Sequence, residues 1–275
     1  MLTGGLAAVN AELGNLTYQA SAAPGSDWLW VSANDPNGNQ GINHDVVTVL
    51  PATAVVNGLL TGPQTTVLTG SSLVGAALQV DGGRILKNTG TLTWNGGTIA
   101  LGSGDPTATN HTGTLDNAAG ALFAIQGNAT LTGSGTSGLI DNGTVDVSAG
   151  TLTVKPAVTG NGTFLLHGLS TLDFAAVVGS GSTISFLSPT ATLKVETLGA
   201  FGSTILGFAK GDTIDVAPVP FGLATMLNFA QAGSGGTLTV SDGTHSSAFS
   251  LTGSYNTAGF HMASDNHGGT AVTFS

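Results

Sequence analysis

From Leu68 to about Val219 the chain keeps returning to one short phrase, a Gly or Ser followed by Thr and an apolar residue. A phrase that returns at a steady interval constrains the fold more than any single motif does. It reads Gly90-Thr91-Leu92, Gly113-Thr114-Leu115, Gly150-Thr151-Leu152, Gly162-Thr163-Phe164, Ser182-Thr183-Ile184 and Ser203-Thr204-Ile205. Taking Leu68, Leu92, Leu115, Ile140, Phe164, Ile184 and Ile205 as equivalent points, the steps are about 20–25 residues, the length of one β-helix coil with three short strands. Each coil would carry an inward strip of Leu, Ile, Val and Phe that it cannot bury alone, and stacking coils would bury it.

A second register runs through the same region. Leu86-Lys87-Asn88, Leu115-Asp116-Asn117 and Ile140-Asp141-Asn142 each place an Asn after an apolar and a charged residue, with Gly close behind. Stacked coils would align Asn88, Asn117 and Asn142 as an asparagine ladder at one corner, amide bonded to amide. The longer gap between Asn88 and Asn117 is explained by Gly102-Ser103-Gly104-Asp105-Pro106-Thr107, the start of a loop (102–112) protruding from one coil.

Composition agrees with an all-β chain and narrows its partners. Charged residues are 7% of the total, where an average soluble protein has about 25%. Thr, Ser, Asn and 43 glycines stand in the places that Lys, Glu and Arg would fill on exposed helices. The five basic residues, Arg84, Lys87, Lys155, Lys194 and Lys210, are scattered, and the net charge is −10. Nucleic acid and anionic membrane surfaces, both of which need clustered cations, are therefore not expected partners. Cysteine is absent, so disulfides and thiolate metal sites are excluded. No apolar run reaches 18 residues, so no membrane insertion as a helix is expected. Met1-Leu2-Thr3-Gly4-Gly5 has neither the basic nor the apolar region of a signal peptide, which favours a piece of a larger polypeptide over a chain with its own leader.

Three regions follow. Residues 1–50 open on Leu6 to Leu13 with helical spacing, then strand-like Leu16 to Ala20, Trp28 to Asp35 and Asp45 to Leu50. This order resembles the C-terminal half of cadherin-like or immunoglobulin-like repeats in giant bacterial adhesins, which implies a partial β-sandwich with Trp28 and Trp30 in its core. The alternative for that tryptophan pair is a sugar-stacking platform. Residues 51–204 are the solenoid; "NTGTLTWNGGTIALG" (88–102) and "DNGTVDVSAGTLTV" (141–154) resemble coils of autotransporter passengers and filamentous adhesins. Residues 205–275, with Gly211-Asp212-Thr213-Ile214-Asp215-Val216 and "SDNHGGTAVTF", resemble a terminal module of large exported alphaproteobacterial proteins, and its expected job is to cap the last coil. The expected architecture is a right-handed parallel β-helix between a small β-sandwich-like remnant and a β-rich cap. The resemblances imply an extracellular or bacterial cell-surface location.

Chemistry is thin. Asp35-Pro36-Asn37-Gly38-Asn39 sets the oxygens of Asp35, Asn37 and Asn39 at alternate positions as calcium loops do, but its glycine is misplaced and no closing Glu follows, so a plain Asn/Gly turn is the alternative. Asp116, Asp141 and Asp146 are the carboxylates a polysaccharide hydrolase or lyase would need in pairs, beside an aromatic such as Trp94. The histidines lack metal-ligand spacing, and no serine elbow occurs. Candidate binding residues are Asp105, Asn110 and His111 on the protruding loop, together with Trp94. The expected function is a structural or adhesive stalk touching a glycan or cell-surface ligand, without a catalytic site. A carbohydrate-active β-helix and an export or assembly cap stand as alternatives.

Overall fold

A computed structural model describes residues 23–34, Asn37 and 40–275. The helical stretch 6–13, the strand 16–20 and the calcium-loop residues Asp35 and Asn39 lie outside the described residues.

The chain is nearly all strand, and its centre is a parallel β-solenoid of about eight coils. A hairpin strand, β1 (Gly25–Asn34), precedes the first coil, which is built by β2 (Gln40–Leu50) and β3 (Val55–Leu60). The second coil is β4 (Thr65–Leu68) and β5 (Ser71–Val80); the third is β6 (Arg84–Asn88), β7 (Thr91–Trp94) and β8 (Gly97–Leu101). Then come β9 (Gly113–Asn117), β10 (Leu122–Ile125) and β11 (Ala129–Gly133), followed by β12 (Gly138–Asp141), β13 (Thr144–Val147) and β14 (Thr151–Val154). The sixth coil holds β15 (Ala157–Thr159), β16 (Thr163–Leu166) and β17 (Thr171–Phe174). The last two are β18 (Thr183–Phe186) with β19 (Thr192–Val195), and β20 (Gly199–Leu206) with β21 (Thr213–Val216). Beyond them lie β22 (Met226–Ala232), β23 (Gly235–Ser241), β24 (Ser246–Thr252), β25 (Phe260–Ser264) and β26 (Thr270–Phe274).

Three parallel ladders run the length of the stack. The first joins β2, β4, β6, β9, β12 and β15 and continues through single bridges at Val178 and Phe201. The second runs from β3 and the start of β5 through β7, β10, β13, β16 and β18 to β20, and the third from the end of β5 through β8, β11, β14, β17 and β19 to β21. Alternation along these strands sends Thr outward and an aliphatic or aromatic side chain inward. The register then stacks like on like: Leu92, Phe123, Val145, Phe164, Ile184 and Ile205 form one interior column. Leu78, Ile99, Leu131, Val154, Phe174, Val195 and Val216 form another. Every member of both is at most 1% exposed. Such a side chain contributes roughly 1.5–3 kcal/mol by leaving water.

The period expected from sequence is present, but the seven equivalent points do not share a face. Leu68, Leu115 and Ile140 belong to the first ladder, while Leu92, Phe164, Ile184 and Ile205 belong to the second. All three strands of a coil use similar phrases, so the phrase counts coils without saying which side it lies on. Ile140 is paired with outward-facing Asp116 and is 37% exposed.

The described part of 1–50 is the antiparallel hairpin β1–β2, and Val47–Leu50 of β2 pair in parallel with β4, so β2 joins the first ladder. Trp28 and Trp30 are 52% and 63% exposed, which corrects their placement in a core; their rings stack on each other at 6.0 Å. At the other end β21 is still a solenoid rung. The cap covers both running ladders: β24 adds in parallel to β20, and β26 adds antiparallel to β21. Behind them Phe208, Phe229, Tyr255, Phe260 and Phe274 pack as an aromatic cluster, with the Tyr255 hydroxyl donating to the Phe208 carbonyl (2.9 Å).

The corner ladder exists with one change of rung. Asn88 Nδ2 donates to Asn117 Oδ1 (2.9 Å), and Asn117 Nδ2 donates to Asp141 Oδ1 (2.7 Å), all three residues being fully buried. Each amide also donates to a backbone carbonyl, Asn88 to Leu122 and Asn117 to Thr144. Asn117 pairs in register with Asp141, so Asn142 is turned to the surface, where its side chain accepts from Asn161 N. Asp141 thus ends the run with a carboxylate. Gly143 N donates to its Oδ1 (3.2 Å), while Oδ2 has no hydrogen-bond partner. A Cβ on Gly162 would fall 2.1 Å from that Oδ2, so only glycine leaves room for it. Burial outweighs the two donors and pushes the Asp141 carboxyl up to about 6.

Two outcomes follow for stability. Phe164→Ala, in the middle of the second column, is expected to cost about 3–5 kcal/mol in urea unfolding; a loss below about 1 kcal/mol would mean that the column is not packed as described. Folded Asp141 holds its proton more tightly than the unfolded chain does, so its contribution is greatest at low pH and is lost as pH rises from about 4 through 6. At pH 8 Asp141→Asn is expected to gain on the order of 2 kcal/mol relative to wild type, with little gain at pH 4. Equal pH slopes for the two proteins would contradict the buried carboxylate.

Candidate functional site

Where β8 ends at Leu101 and β9 begins at Gly113, the chain leaves the coil as the expected loop. Its two stems are tied to the neighbouring coil through the backbone, Gly102 N to Val80 O (2.7 Å) and Gly83 N to Thr112 O (2.8 Å). Gly102 has φ +71°, and a Cβ there would strike Ser137 Oγ and His111 O, so the departure point admits only glycine.

The anchor of the loop is a residue that the sequence did not single out. Asp81, directly after β5, is completely buried. Its Oδ1 accepts Gly82 N (2.8 Å), and its Oδ2 accepts Asp105 N (3.0 Å) and faces His111 Nδ1 (3.2 Å). Burial alone would push this carboxyl up, but the donors from Asp105, Gly82 and His111 prevail and hold it below the usual carboxylate range. Two of the candidate binding residues therefore meet on one buried acid. Only the Asp-Gly turn at 81–82 could have signalled it, and that dipeptide is common in any turn-rich chain.

Three donors reach the Asp105 carboxylate. Its Oδ2 accepts the Thr61 hydroxyl (2.5 Å), and its Oδ1 accepts both N (2.8 Å) and Oγ1 (2.7 Å) of Thr107. The Thr61 and Thr107 donors lower its carboxyl to about 2, so it stays ionised. Arg84 reaches the same corner and donates to the Thr61 carbonyl (2.5 Å) and to Thr66 Oγ1 (3.5 Å). Asn110 Oδ1 accepts the Thr112 hydroxyl (2.9 Å). Between the loop and the two coils beside it lies an open recess of about 330 Å³, walled by 61–63, Gly82, Asp105 and 107–110. That volume lies near the lower end of the range for ligand pockets.

Trp94 does not take part. It is fully buried and stacked on Phe123 at 5.9 Å with the planes 5° apart, because Thr91-Leu92-Thr93-Trp94 alternates and sends Leu92 and Trp94 inward. The binding role expected of it is corrected: an indole inside the core has no face to offer a sugar.

The carboxylates weighed for catalysis are dispersed. Asp116 points outward and pairs with Lys87 on the previous rung (3.2 Å), while Asp141 points inward from the same sheet. Asp146 stands on the second ladder opposite His167 Nε2 (2.9 Å). None of these three shares a groove with another. A different charged column does exist on the third ladder, where Asp173, Lys194 and Asp215 occupy one outward position on successive rungs. Lys194 Nζ lies 3.4 Å from Asp173 Oδ2 and also bonds Glu196. Burial raises Asp173, with Glu196 adding to it; burial, then the nearby Asp265, raises Asp215 to about 6. The phrases Thr-Leu-Asp-Phe, Thr-Leu-Lys-Val and Thr-Ile-Asp-Val held this signal. Asp212, by contrast, is a turn cap, its carboxylate accepting Ala191 N and Ala209 N.

Of the calcium candidates only Asn37 is described, in an exposed turn. Among the described residues no group of three or more His, Asp or Glu is placed to hold a metal, and no helix is long and apolar enough to cross a membrane. No family model matches the chain, and no curated protein matches it either.

The anchor can be tested directly. Asp81→Ala leaves Asp105 N and Gly82 N without their acceptor and is expected to destabilise the fold by about 1–3 kcal/mol. It should also make 102–112 the first site of cleavage in limited proteolysis. If the loop of the variant resists protease as the wild type does, Asp81 is not what holds it.

Proposed function

We propose that this chain is a structural and adhesive segment of a larger exported or surface-displayed bacterial protein, in which the solenoid is a stalk and loop 102–112 is the contact surface for a glycan. The observation that carries this reading is the pinned loop: a buried carboxylate, Asp81, fixes Asp105 and His111 beside an open recess. A loop ordered in advance loses little conformational freedom when a ligand arrives. The stalk is supported by the interior columns, which pass from coil to coil without a break. Few and scattered cations favour a glycan over nucleic acid as the partner.

The dispersal of Asp116, Asp141 and Asp146 supports binding over catalysis. The covering of both ladder ends by β24 and β26 favours a second role for the C-terminal region, that of a cap which keeps the last coil from pairing with other strands.

A glycan array read together with reducing-sugar release on bacterial and plant polysaccharides tests the proposal. The expected result is saturable binding that is lost in Asn110→Ala, with no sugar released. Release that disappears in Asp215→Asn would overturn the adhesive reading in favour of an enzyme.

A further inference from the structure

We infer that the recess beside loop 102–112 takes uncharged saccharides and turns acidic ones away. The inference rests on the glycan reading above and deepens it.

Its wall holds one carboxylate, backed by a second, and neither Lys nor Arg lines it. Asp105 stands in the wall, and Asp81 lies directly behind it, bonded to Asp105 N. The guanidinium at this corner, Arg84, is turned to the Thr61 carbonyl and the Thr66 hydroxyl. His111 faces Asp81. The chain as a whole carries −10, which adds a negative field to the local one. A uronate, sialate or sulfate seated here would bring its anion against Asp105 with no facing guanidinium or ammonium to receive it, whereas acid-binding sites use bidentate Arg or Lys.

A neutral sugar meets the opposite situation. An ionised carboxylate has about four lone-pair positions, and three donors reach Asp105, so it can still accept from a sugar hydroxyl. The Thr107 hydroxyl donates to Asp105 and keeps its own oxygen free to accept. Asn110 accepts through Oδ1 from Thr112, which leaves its amide group as a donor. Pro63 and Ala108 supply the apolar surface that a pyranose C–H face requires.

The test uses the full 275-residue protein, ¹⁵N-labelled, and two matched pairs of probes: galactobiose with digalacturonate, and lactose with 3′-sialyllactose. The expected result is saturable movement of the amides of 61–62, 82, 105 and 107–110 with a neutral probe and none with its acidic partner. Asp105→Asn, whose spectrum reports directly whether it folds, should narrow the gap between partners by about five- to tenfold in Kd by removing one negative charge. Acidic probes that bind the same amides as well as the neutral ones would overturn this inference and leave the glycan reading standing. If no probe of either kind moves these amides at millimolar concentration, the glycan reading falls with it.

Discussion

Everything in this molecule depends on registered stacking: a side chain on one coil is buried only because its equivalents lie above and below it. No coil has enough apolar surface to fold around itself, and the parallel hydrogen bonds that join coils hold Phe164 over Val145 and under Ile184. Cohesion is therefore a nearest-neighbour property. The amide run at the corner follows the same rule in polar form, since Asn88, Asn117 and Asp141 are hydrogen-bonded from rung to rung within the interior.

Registered stacking also accounts for the scarcity of charge. Residues that share an outward position on successive rungs stand ~4.8 Å apart, a spacing at which like charges repel. One solution is to alternate sign, as Lys87 does with Asp116 and Lys194 with Asp173. The other is to use no charge. Thr144, Thr163, Thr183 and Thr204 form one such column, and Thr151, Thr171, Thr192 and Thr213 another. The low count of ionised residues, read at first as an argument about partners, is equally a consequence of geometry.

How much could be read beforehand follows from the same point. The interval, the all-β character, the protruding loop and two of the three corner amides were legible, because composition and the number of residues per coil suffice to show them. Assignment to a face was not. Side chains alternate with a period of two, so an error of one residue reverses inside and outside, and this is why Asn142 was expected where Asp141 stands and Trp94 was expected at the surface. Trp28 and Trp30 went the other way: they stand exposed on a hairpin whose second strand extends the first ladder. Asp81 escaped notice because its role is set by residues 24 and 30 positions away, a relation that a local pattern does not display.

Loop 102–112 has one more property of interest. Its stems are tied by backbone contacts at Gly102 and Thr112, so the winding is already closed beneath it and the next rung starts in step whatever lies between. Between the Asp105 and His111 contacts to Asp81, length and composition are thus uncoupled from the core, and selection can rewrite this outer segment while the support stays constant. The architecture acts as a socket: one unvarying spine on which differently shaped tips can be exchanged.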